Sequence, residues 1–226
     1  MKKIILFHIF IAVYSSTLLS QTNMQVFGSY VKNLNKDYKG LTYGVGIRFE
    51  FGKDDAFFNK YIGFAYNGPI TTHAINEARA YSSLTDPQTI DVPTVYKIPA
   101  YRLEGGGRLY FSGSAHNYDG MNAFLNCGAE VIFAPNHPEY TSYDQELYTL
   151  GYTQTSDVNE DGTDKFALNL MLALGAGIEK NFGPGNIFLH VAIALPVIQN
   201  GTNSDIEDFV PVPLNFNAGY KFSLSK

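Results

Sequence analysis

The sequence predicts an all-β chain: a closed, antiparallel, eight-stranded, up-and-down transmembrane β-barrel. Three observations predict it. Eight segments alternate large apolar residues with small or polar ones, several over the length a tilted strand needs to cross a bilayer. The links between them run alternately short and long. The charges on the polar faces of the segments balance.

Composition narrows the class before any element is placed. A chain of 226 residues suits one domain or at most two small ones. It has 16 Tyr, 17 Phe and 21 Gly but no Trp, which suits many strands with interfacial aromatics and with glycines where a narrow barrel needs room. A net charge of −5 without any basic stripe excludes a nucleic-acid partner. The single Cys127 excludes an internal disulfide framework, and no neighbouring cation or histidine activates it. It reads as a small buried or lipid-facing hydrophobe.

The first element is an address. Lys2 and Lys3, the apolar run Ile4 to Val13 and the small polar stretch Ser15 to Ser20 have the order of a secretory signal peptide. The run is too short to span a membrane as a helix. Cleavage is expected after Ser20, which assigns residues 1–20 to the signal peptide and 21–226 to the barrel domain. After this segment no apolar stretch reaches helix length, so strands must do any crossing.

Leu41 to Phe51 is the clearest strand: Leu41, Tyr43, Val45, Ile47, Phe49 and Phe51 alternate with Thr42, Gly44, Gly46, Arg48 and Glu50. Successive strand side chains point to opposite faces, so this is one greasy and one polar face. The same pattern returns over Tyr101 to Phe111, Asn122 to Phe133, Phe166 to Glu179, Ile187 to Leu195 and Leu214 to Phe222, with Phe124 and Ile132 blurring the contrast in the second of these. Two weaker strands, Met24 to Tyr30 and Tyr61 to Asn67, complete an even number, as bacterial single-chain barrels have.

The links fall at about 31–40, 52–60, 68–98, 112–120, 135–165, 181–186 and 199–213, and from the second onward short ones alternate with longer polar ones. A barrel with both termini in the periplasm has short turns there and longer loops outside. A soluble sandwich has no reason for that asymmetry.

The polar faces carry Arg48, Arg102, Arg108 and Lys221 against Glu50, Glu104, Glu130 and Glu179. An eight-stranded barrel is just wide enough for side chains to fill it. Charges inside avoid large desolvation penalties only when paired and hydrogen-bonded, so these eight residues are expected to form a lumen ion-pair network that leaves no open pore.

With these features in view, the chain resembles the small outer-membrane barrels of the OmpA/OmpX and porin-family type. The resemblance rests on the signal peptide, the eight alternating segments, the inward Arg and Glu residues and the closing Asn215-Phe216-Asn217-Ala218-Gly219-Tyr220-Lys221-Phe222 stretch. It implies residence in the bacterial outer membrane, contact with outer-membrane lipid, and insertion by the outer-membrane assembly machinery, which reads a C-terminal strand ending in an aromatic. This chain departs there, running Phe222-Ser223-Leu224-Ser225-Lys226, so that Phe222 would stand in for the terminal aromatic.

Asp157 to Asp164 matches the first half of a calcium loop, with Asp157, Asn159 and Asp161 as candidate ligands and Gly162 for the turn. The acid required at the twelfth position is missing, because Leu168 stands there. A solvated acidic loop is the simpler reading. His190 lies on an inward strand position and suits a lumen network better than catalysis. Gly105-Gly106-Gly107 and Gly175-Ala176-Gly177 open no helix and so cannot cradle a phosphate. The links 68–98 and 135–165 are where an extracellular ligand or surface would bind, and Tyr140, Tyr143, Tyr148 and Tyr152 suit either an adhesive surface or an ordered cap. The expected function is a structural or surface-interaction barrel without enzymatic chemistry or a cofactor. A small ion- or ligand-permeable barrel and a lipid-modifying hydrolase around His190 are the alternatives.

Overall fold

The structure is a computed structural model, and it describes residues 21–34, 40–52, 57–111, 120–150, 165–201 and 212–224. Nine strands appear there: β1 (Gln21–Asn33), β2 (Leu41–Gly52), β3 (Phe58–Ala80), β4 (Thr89–Tyr110), β5 (Met121–Tyr140), β6 (Tyr148–Leu150), β7 (Lys165–Phe182), β8 (Gly185–Gly201) and β9 (Pro213–Ser223). Each long strand pairs antiparallel with its neighbours in sequence, β5 pairs with β7, and β1 pairs with β9 as well as with β2. Eight strands therefore form a closed ring with no free edge within it. β6 stands outside the ring, on β3.

The strand alternation sets which side each residue faces. On β2, Leu41, Tyr43 and Val45 are exposed, whereas Thr42, Arg48 and Glu50 are buried. The other strands repeat this, with Leu103, Leu109, Leu125, Leu172, Leu174, Leu189 and Val191 turned out. A water-soluble protein would not present such a continuous apolar wall. The eleven residues Leu41 to Phe51 rise roughly 33 Å along the strand, and a tilt of roughly 40° makes that about 25 Å of height, the thickness of an outer-membrane apolar band. Aromatics border it. Toward one rim, Tyr30 meets Tyr43 at 5.4 Å and Phe216 at 6.0 Å, and Tyr66 meets Tyr101 at 5.2 Å. Toward the other lie the exposed Phe57, Phe58, Phe111 and Phe182.

The connections differ at the two ends. One end holds Gln21 and Ser223, the strand ends Gly52, Phe58, Tyr110 and Met121, and the link 183–184, a two-residue turn in which Gly183 takes φ of 64°, a left-handed conformation that favours glycine. The opposite end holds the described segments 81–88 and 141–147 and the strand ends Asn33, Leu41, Lys165, Gly201 and Pro213.

At that second end the expected loops are largely strand. Residues 68–98 form not a long loop but a continuation of β3 and β4, paired from Ile70↔Ile98 to Arg79↔Thr89, with only residues 81–88 as the turn. A bulge between Asn67 and Ile70, at Gly68-Pro69, inserts an extra residue and bends the hairpin. Residues 135–140 likewise continue β5, and Tyr148–Leu150 forms β6. A four-stranded sheet, β5-β4-β3-β6, thus rises beyond the barrel. β1 and β3 also run longer than 24–30 and 61–67.

Candidate functional site

The first half of the site is the lumen. β2, β4, β5, β7 and β9 turn Arg48, Glu50, Arg102, Glu104, Arg108, Glu130, Glu179 and Lys221 inward, each no more than 5% exposed. Glu50 is the centre of the half nearer Gln21 and Ser223. Its carboxylate accepts hydrogen bonds from Gln25 Nε2 at 2.7 Å, Asn59 Nδ2 at 2.8 Å, Arg108 Nη1 at 2.8 Å and Tyr110 Oη at 2.6 Å. Lys221 Nζ lies 3.9 Å from the same carboxylate and donates to Glu179 Oε1 at 2.8 Å and to Tyr110 Oη at 3.2 Å. Arg48 Nε donates to Glu104 Oε1 at 2.8 Å. The two groups are joined by Gln25, whose Oε1 accepts from Arg48 at 3.3 Å and from Arg108 at 3.4 Å.

Aromatic rings fill the space between these polar groups. The Arg108 guanidinium lies 4.1 Å from the centre of the Phe124 ring, and that of Arg48 lies 4.9 Å from Tyr61 and 5.1 Å from Phe27. These rings fit because each sits beside a glycine on the next strand. Phe27 pairs with Gly46 and Gly219, Tyr61 with Gly106, Phe124 with Gly177 and Phe188 with Gly219. A Cβ at Gly128 would stand 2.6 Å from Tyr61 Oη, and one at Gly219 would stand 2.7 Å from Phe27 Cβ. The sequence signal for the inward aromatics was therefore the paired glycines. Gln25 and Asn59 carried no such signal.

Arg102 and Glu130 are brought together less closely, at 3.7 Å. Glu130 also stands directly opposite Glu104 across the β4–β5 ladder. His190 is held between amides: its Nε2 lies 2.6 Å from Asn126 Oδ1, and its Nδ1 lies 3.1 Å from Asn217 Nδ2. With Nε2–H donating and Nδ1 accepting, both ring nitrogens are committed to amides, not to a nucleophile and an orienting acid. Asp157, Asn159 and Asp161 lie outside the described residues, and among the described residues no group of three or more metal-capable side chains occurs.

The second half of the site is the projecting sheet. Ala78, Val92 and Tyr148 are buried together with Ala80, Ile90, Tyr143 and Leu150 around them, and Tyr148 Oη donates to Pro87 O at 3.0 Å. Tyr143 and Tyr148 thus belong to an ordered cap, Tyr140 is exposed, and Tyr152 lies outside the described residues. The opposite face carries the exposed Ile75 and the ion pairs Glu77–Arg79 and Lys97–Glu139, at 3.1 and 2.6 Å.

With a closed ring, an apolar exterior and a packed polar interior on the page, solved structures provide the comparison. The chain is similar to the neisserial surface protein NspA, at 8% identity, covering 88% of this chain and 94% of that one with a TM-score of 0.50. The fold is that of a small outer-membrane barrel. Weaker matches are the N-terminal barrel domain of Pseudomonas aeruginosa OprF (13% identity, 90% and 99% covered, TM-score 0.42) and Ail of Yersinia pestis in complex with a heparin analogue (16% identity, 90% and 97% covered, TM-score 0.38). No family model and no curated protein sequence matches this chain.

Proposed function

We propose that the protein is an integral outer-membrane barrel with a side-chain-filled, non-conducting lumen, acting at the cell surface through its projecting sheet. The observation that carries this reading is the continuity of β3, β4 and β5 from the barrel wall into a sheet with its own small core. A hairpin that only connected two strands would need few residues. This one holds a rigid face, bearing Ile75, Glu77, Arg79, Lys97 and Glu139, clear of the apolar belt. The Glu50-centred network supports the sealed lumen, because the residues that pair there occupy the cross-section.

Outer-membrane lipid is the surrounding medium on this reading, the assembly machinery is the route in, and an extracellular ligand or surface is the partner. The test is to replace residues 71–97 with a short turn. The shortened chain should still fractionate with the outer membrane and still shift on unheated gels, while losing whatever cell-surface attachment the full chain confers. Loss of membrane insertion, or unitary currents from the full-length barrel in planar bilayers, would refute the proposal.

A further inference from the structure

The far tip of the projecting sheet combines apolar side chains held out in solvent with charge of a single sign. It consists of the turn 81–88, between β3 and β4, and the segment 141–147 that leads into β6. The two are tied together, because Tyr81 N donates to Leu147 O at 2.9 Å and Tyr148 Oη donates to Pro87 O at 3.0 Å. Each is also fixed internally. Thr85 N donates to Ser82 O at 3.1 Å and Leu84 N to Ser82 Oγ at 3.2 Å, while Asp144 Oδ1 accepts from Glu146 N at 3.0 Å and from Leu147 N at 3.3 Å. On this framework Leu84 is 93% exposed, Tyr81 67% and Leu147 45%. Single exposed apolar side chains are ordinary, but three on one ordered tip mark a contact. Because the backbone that carries them is already ordered, little freedom is lost when a partner covers them.

Charge decides the kind of partner. Asp86, Asp144 and Glu146 are exposed on the described tip, which has no Lys or Arg. The nearest cation along β3, Arg79, is paired with Glu77 at 3.1 Å, and Asp91 stands opposite Glu77 across the ladder. The sequence joining the strands that end here continues the bias. Residues 81–88, 141–164 and 202–212 contain ten of the chain's 21 Asp and Glu and no Lys or Arg, and only 34–40 bring cations, Lys36 and Lys39 against Asp37. Such a field repels phosphate, sulfate and anionic lipid and steers cations inward. A metal ion or a polyamine would answer the charge and leave Leu84 in water. We propose that this tip docks a cationic polypeptide segment that also carries apolar side chains, which cover Leu84, Tyr81 and Leu147 while its Lys or Arg residues meet Asp86 and Glu146. This rests on the surface role above and names the partner's chemistry.

The probe is a heptapeptide alternating Arg with Leu, titrated onto the full mature barrel in nanodiscs of zwitterionic lipid, with empty discs as the reference. Two control peptides carry Glu in place of Arg or Ser in place of Leu. The barrel should bind the Arg and Leu peptide at least about tenfold more tightly than either control. L84S should weaken that binding about tenfold, and D86N/E146Q about threefold at low salt with the difference fading at high salt. The Leu84 and Leu147 methyl resonances of the wild-type chain should shift as the peptide binds. An L84S affinity equal to wild type, equal binding of the Glu peptide, or methyl shifts that bypass Leu84 would overturn the proposal. So would Leu84-dependent capture of phosphatidylcholine vesicles with no peptide present, which would make neutral lipid the partner. None of these results touches the surface role itself, which stands or falls on the loss of attachment when residues 71–97 are replaced.

Discussion

Replacing Glu50 with Gln removes one charge from the best-connected point of the lumen while keeping its size. Glu50 accepts from four side chains, and two cations, Arg108 at 2.8 Å and Lys221 at 3.9 Å, lie against it at 0–1% exposure. A glutamine there turns one acceptor into a donor aimed at N–H or O–H groups that also donate. Lys221 keeps Glu179 at 2.8 Å, so the uncompensated charge falls mainly on Arg108. Breaking one partner of a buried pair costs about 3–5 kcal/mol, whereas replacing both partners with apolar groups of similar volume is close to neutral. E50Q should therefore lose about 3–5 kcal/mol, and E50L/R108M should recover more than half of that loss, the Arg108 site being already apolar on its Phe124 side. The assay is urea unfolding in lipid vesicles, read as the folded fraction on unheated gels, with the coupling taken from the double-mutant cycle. A loss in E50Q under about 1 kcal/mol, or a double variant no better than the sum of its singles, would show that the network is not what holds the lumen together.

Three further outcomes follow from particular positions. Gly128→Ala places a methyl 2.6 Å from both Gly105 O and Tyr61 Oη, and should destabilise by about 1–3 kcal/mol in the same unfolding assay. Leu172, exposed on the outer wall and paired with Ala129 and Leu195, should cost about 2–4 kcal/mol when replaced by Lys, whereas the same change at Ile75 on the projecting sheet should cost almost nothing. Tyr148→Ala removes the ring packed on Ala78 and Val92, so limited proteolysis should cut residues 141–150 several times faster while the heat-modifiable gel shift stays that of wild type.

Most of the wall was legible along the chain because, bulges apart, strand side chains alternate between the lipid side and the lumen. Leu41 to Phe51 could be assigned face by face from a single line of text. Even Phe124 and Ile132, which spoil the pattern of β5, kept their parity: both are buried inside, Phe124 beside Gly177 and Ile132 against Met171. The projecting sheet was missed for the opposite reason. Residues 68–98 are rich in Thr and Pro, and a sheet that leaves the membrane no longer has to be apolar on its outer face.

By itself, then, the order of residues determined the all-β class, the number of wall strands, their greasy and wet faces, and which charges could turn inward. Each of these follows from local alternation and link length. Tertiary structure alone decided the partners: that Glu50 gathers Arg108, Tyr110, Asn59 and Gln25, that Arg102 meets Glu130 at 3.7 Å, and that β5, β4, β3 and β6 rise together. Those pairings depend on the register of ladders that bring together residues 83 and 111 positions apart, as Arg108 and Gln25 and as Lys221 and Tyr110 are, and on ring closure, which brings β1 against β9. A repeating two-residue pattern carries no information about register beyond its parity, and so it could not specify them.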